Sequence, residues 1–115
     1  MDEIKKMSER IVAFRDARDW KQFHNAKDLS LSLVLEASEV MEHFQWKSNE
    51  EIEEYVKSHK DEIGEELADV FYWILLMGKD IDIDIVAALD KKMLKNEAKY
   101  PIEKAKGKHT KYNKF

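Results

Sequence analysis

Apolar residues recur along this chain at three- and four-residue spacing with charged residues between them, which is the helical period. Ile4, Met7, Ile11 and Phe14 form the first stripe and predict a helix over residues 2–19. WKQFHNA (20–26) breaks the period and reads as a connector, and a second helix follows over 27–44. Ser48 and Glu51 have the spacing of a capping box, in which each side chain satisfies the other's backbone N–H at a helix start. The helix that begins there is expected to break or bend near Ser58 and to resume through Gly78, with that glycine as its C-cap. DIDIDI (80–85) alternates like a strand but is short and has no partner run, so it reads as a loop. Asp84 then caps a last long helix to about residue 99, which Tyr100-Pro101 ends.

The expected fold is all-α, a bundle of four to five helices. Residues 1–100 form one helical domain and 101–115 a basic tail. VFYWILLM (70–77) is apolar on every side, and a helix of that kind is buried all round. A chain of 115 residues has little core with which to cover it. A homo-oligomer, dimer or tetramer, follows as an expectation.

Two acid pairs interrupt this apolar pattern. Glu36 and Glu39 lie three apart within LSLVLEASEVMEHF, on the face that also carries Leu29, Leu33, Val40 and His43. Glu66 and Asp69 repeat the spacing on the next long helix, on the face of Tyr72, Trp73 and Leu76. Carboxylates at the edge of a packed surface must be neutralised, protonated or joined by cations. Hard divalent ions take oxygen ligands, and Mg²⁺ in particular shares its shell among carboxylates, waters and substrate phosphates. From the residues alone, the pairs admit two readings, a magnesium site and a solvated acidic face. His43 sits on the Glu36 face but is read as a packing or supporting residue, since Mg²⁺ prefers oxygen.

Charge and composition narrow the partners. The net charge of −4 argues against a nucleic-acid polymer. Residues 50–69 hold nine acids against Lys57 and Lys60, while residues 101–115 hold five lysines against Glu103. An acidic centre beside a basic tail suits a small phosphorylated molecule carried with magnesium, and the tail reads equally as a solubilising end. With no cysteine, thiolate metal sites and cysteine nucleophiles are excluded. The charged N-terminus has no signal-peptide core and the longest apolar run is far below the roughly 20 residues a membrane helix needs. A cytoplasmic protein with no membrane partner is expected.

With both acid pairs in place, the chain resembles the MazG-like nucleotide pyrophosphohydrolases, and within them the dCTP pyrophosphatase branch. The similar stretches are ARDWKQFH (17–24), LEASEVMEHFQW (35–46), EELADVFYWILL (65–76) and KMLKNEAKYP (92–101). The resemblance implies a Mg²⁺-dependent hydrolysis, with Mn²⁺ able to substitute, of a nucleoside triphosphate to the monophosphate and pyrophosphate. It implies that Glu36, Glu39, Glu66 and Asp69 hold the metal, with Glu36 or Glu39 accepting the proton of the attacking water. It also implies that Lys92, Asn96 and Tyr100 reach the phosphates and sugar. Trp20, Phe23, His24, Trp46 and Trp73 are the implied candidates for an aromatic base pocket, each with a packing role as the alternative. Trp73 departs from the tyrosine expected there in the animal branch. Glu-x-x-His, the di-iron bundle pattern, is absent from both pairs. Related activities on dUTP or phosphoribosyl-ATP and a non-catalytic helical module are the other readings.

Overall fold

Helix starts in this chain are set by short polar side chains that accept from backbone donors left without helical partners. A computed structural model describes residues 2–109, and every regular element among them is helical. The Asp2 carboxylate accepts from Lys5 N at 2.7 Å and opens α1, Glu3–Ala17. After a 3₁₀ turn at Lys21–Phe23, Asn25 Oδ1 accepts from Asp28 N at 2.8 Å and opens α2, Ala26–Glu42. The predicted capping box is present at the start of α3, Asn49–Ser58: Ser48 N donates to Glu51 Oε1 at 2.9 Å and Glu51 N to Ser48 Oγ at 3.2 Å. Those bonds hold the Glu51 carboxyl below its ordinary value. His59 separates α3 from α4, Lys60–Asp80, where a break near residue 58 is expected. Asp84 caps α5, Ile85–Lys99, through Ala87 N at 3.0 Å.

Two features differ from the sequence expectation. Gly78 is not a C-cap: it is buried inside α4, which runs on to Asp80, and the left-handed residue that turns the chain is Asp82 at φ 58°. Aspartate tolerates that conformation better than most side chains. Residues 102–105, read as tail, form a short sixth helix, α6, Ile102–Ala105, directly after Pro101. The rest of the expected tail, from residue 110, lies outside the described residues.

The chain forms two compact units, Met1–Asp82 and Ile83–Phe115, and the domain expected over residues 1–100 spans both. In the first, α4 packs on α2, on α1 and on α3. Ile11, Leu29, Leu75 and Leu76 are its buried core, with Ile4, Val12, Tyr72, Trp73 and Met77 packed around them. Arg15, 1% exposed, clamps α1 to the end of α4: Nη1 and Nη2 donate to the two Asp80 oxygens at 2.6 and 2.9 Å. The paired carboxylate, acting against the cost of burial, raises the guanidinium pKa further above its ordinary value. α5 and α6 make up the second unit. No helix among the described residues is long and apolar enough to cross a membrane.

Candidate active site

Because α2 and α4 pack against each other, the two acid pairs meet across one helix–helix seam. Glu36 is half-buried, as the apolar positions flanking it dictate, and its carboxyl is raised above the ordinary 4.5. Burial is the main cause, followed by the Glu39 carboxyl beside it and the charges of Asp69 and Glu66. Glu36 Oε2 is buried with no hydrogen-bond partner. The other three expected acids therefore all act on Glu36.

Glu66 is supported from behind. His43 Nε2, at the C-terminus of α2, stands 2.7 Å from Glu66 Oε2, an ion-pair contact without hydrogen-bond alignment. The other ring nitrogen of His43, Nδ1, hydrogen-bonds the Tyr55 hydroxyl of α3. Tyr55 stacks on His59 with centroids 3.9 Å apart and planes 5° from parallel, and the Lys47 ammonium lies 4.2 Å from the Tyr55 ring centroid. Lys47 Nζ also donates to His43 O at 2.6 Å.

On its other side, the acid cluster opens onto a cleft of about 490 Å³ that Glu36 and Asp69 share with aromatic walls. Phe14, Trp20, Tyr72 and Trp73 form those walls, and Met7, Arg10 and Ile11 complete the lining. The rings hold one another edge-on: Phe14 meets Trp20 at 5.8 Å and Tyr72 at 6.4 Å, and Tyr72 meets Trp73 at 5.0 Å. Arg18 lies 3.9 Å over the Phe14 ring and fixes it from outside. Burial raises the Tyr72 hydroxyl above its ordinary 10, so it stays neutral through the physiological range.

Of the expected pocket residues, Trp20 and Trp73 line this cleft. His24 touches it indirectly, meeting Trp73 edge-on at 5.7 Å, with Nδ1 buried and unpartnered. Phe23 and Trp46 do not line it, and Trp46 is 87% exposed just beyond the end of α2. Lys92 and Asn96 lie on α5, and Tyr100 is its C-cap, all in the second unit. Met7, Arg10, Phe14 and Tyr72 enter the site without having been singled out for it. The signal was there: Tyr72 follows Asp69 by three, and the α1 stripe of Met7 and Phe14 is wider than the core needs, which leaves both more than a third exposed.

The donor set fits a hard cation. It is all oxygen, it carries an orphaned buried carboxylate oxygen, and the other three acids add to burial in raising the proton affinity of Glu36. Among the described residues no three acid or imidazole groups close around a common point as they stand.

The profile of the MazG-like family matches residues 31–115. dCTP pyrophosphatase 1 of Rattus norvegicus is 35% identical over 101 residues, 86% of this chain and 59% of that protein. The Homo sapiens protein of that name is 33% identical over 104 residues, 89% of this chain and 61% of that one. This chain thus spans about three fifths of the length of the curated relatives it matches. The crystal structure of a pyrophosphatase from Archaeoglobus fulgidus superposes with a TM-score of 0.83 at 35% identity, covering 88% of this chain and 94% of that one.

Proposed function

The chain belongs to the MazG-like family, and on that premise we propose that it is a Mg²⁺-dependent nucleotide pyrophosphohydrolase, with Mn²⁺ able to substitute. Its substrate is a deoxynucleoside triphosphate, with dCTP or a modified dCTP foremost, in keeping with the names of its relatives. The products are the nucleoside monophosphate and pyrophosphate. One observation carries the reading: the orphaned, half-buried Glu36 opens onto the same cleft as four aromatic rings. A cleft of that make-up suits a base at one end and phosphates at the other.

Glu36, Glu39, Glu66 and Asp69 would hold the cation, which when bound supplies positive charge to phosphate oxygens and lowers the pKa of water. The protein's own groups do the rest. Trp20, Trp73 and Phe14 offer ring faces and edges to the base, where stacking is worth roughly 1–3 kcal/mol. The neutral Tyr72 hydroxyl gives a polar edge beside them, and Arg10 brings positive charge to the cleft for the phosphates. Water attacks the α-phosphorus, the bond from it to the bridging oxygen breaks, and pyrophosphate leaves. The water's proton goes to Glu36 or Glu39, of which Glu36 is the one that lines the cleft.

Pyrophosphate release from dNTPs, NTPs and modified dCTPs by the pure protein tests this reading. Release should require Mg²⁺ or Mn²⁺ and be fastest with dCTP or a modified dCTP. A full rate in EDTA would overturn the metal assignment, and no release from any nucleotide would overturn the enzyme reading.

A further inference from the structure

We propose that His43, held by Tyr55, is a positioning residue for Glu66, a role that rests on the reading of Glu66 as a cation ligand. Three elements meet here: His43 caps α2, Tyr55 lies on α3 and Glu66 on α4. The contacts run in series, from the Tyr55 hydroxyl to His43 Nδ1 and from His43 Nε2 to Glu66 Oε2 at 2.7 Å. A neutral imidazole carries one ring proton, and which nitrogen has it depends on the bond made by the other. A bare ring lone pair 2.7 Å from a carboxylate oxygen would be repelled by it, so the proton belongs on Nε2. The Tyr55 hydroxyl must then donate to Nδ1.

The consequence is a fixed ring and a fixed acid. Tyr55 is itself immobilised, stacked on His59 at 3.9 Å and covered by Lys47 at 4.2 Å. Lys47 also ties down the His43 backbone carbonyl at 2.6 Å. With Oε2 against His43, the other Glu66 oxygen would be the one left to hold a cation. A cation ligand held from behind by an immobilised ring loses less freedom on binding. Removing such a support typically weakens metal affinity or activity by 10–100-fold.

Mn²⁺ binding, read from the EPR signal of free ion in a titration without nucleotide, tests the proposal apart from catalysis. Tyr55→Phe keeps the ring stack and removes only the hydroxyl, and it should weaken Mn²⁺ binding about tenfold. His43→Leu should weaken it at least as much, while His43→Gln, whose amide can still donate to Glu66, should recover most of the loss. The ring ¹⁵N shifts of the metal-free protein should show His43 protonated on Nε2, and Tyr55→Phe should mix the tautomers. Wild-type Mn²⁺ affinity in both folded Tyr55→Phe and His43→Leu would overturn the proposal, as would a proton on Nδ1. If the wild type bound no Mn²⁺, the metal assignment itself would fall and this proposal with it. Wild-type binding with unaffected variants sinks the positioning role alone.

Discussion

Glu36 is held in a place that disfavours its charge, and that conflict is the residue-scale mark of the site. Its carboxyl is raised above 4.5 in the folded chain by burial and by three neighbouring acids. The unfolded chain therefore ionises first as pH rises, so stability falls from about that value upward and stays lower once Glu36 has ionised. Glu36→Gln should for this reason melt higher than wild type in EDTA at pH 7, with the gap closing toward pH 4. Its kcat with Mg²⁺ should drop on the order of 10²–10³-fold, the usual loss when a group that stabilises transition-state charge is removed. A variant that melts lower than wild type at pH 7 would show that Glu36 is stabilising. The acids were legible in the sequence because charge inside an apolar helical run is conspicuous. The aromatic walls were legible only in part: Trp20 and Trp73 line the cleft, while Trp46 and Phe23 have the same chemistry and face elsewhere.

At the scale of elements, caps are local and were therefore readable. Ser48 and Glu51 form their box, and Asp84 caps α5, through atoms three residues apart. Long-range pairing leaves no such trace. Arg15 and Asp80 are 65 residues apart in sequence, and nothing in the pattern joins them, yet they fix α1 against the end of α4. The same pairing helps explain why α4 passes Gly78, since its last residue is the one that holds the guanidinium. Asp80→Asn would leave a buried guanidinium with Asp16, at 3.4 Å, as its one carboxylate partner among the described residues and set an amide N–H against one of its own N–H groups. A broken buried pair costs 3–5 kcal/mol, so a loss of about 3 kcal/mol is expected here, the low end because Asp80 is partly exposed. Urea denaturation should show it as a lower midpoint with an unchanged slope. A loss below about 1 kcal/mol would mean that the clamp contributes no more than a surface ion pair. Since Phe14 and Met7 reach the cleft from α1, the same variant should also raise KM for the nucleotide.

For the whole molecule, the apolar surface left uncovered decides the expected state in solution. The sequence places the excess on residues 70–77, and part of that segment is indeed inside, with Leu75 and Leu76 in the core. Phe71 and Leu67 on α4 remain more than 40% exposed, as do Leu31, Val34, Leu35 and Met41 on α2. Val34 and Leu35 lie three and four residues from Leu31, and Met41 lies seven beyond Val34, two helical turns on, which makes them one stripe rather than scattered side chains. An exposed apolar stripe of that length is expected to be an association surface, with a second copy as its symmetric occupant. Folding and assembly are then linked, and the melting temperature should rise with protein concentration. Sedimentation velocity should find dimers or larger species and no folded monomer at micromolar concentration. Val34→Glu with Leu35→Lys, which puts charge on the stripe and leaves Glu36 and Glu39 in place, should shift the protein toward unfolded monomer and abolish pyrophosphate release. A monomeric wild type with full activity and a concentration-independent melting temperature would refute obligatory assembly.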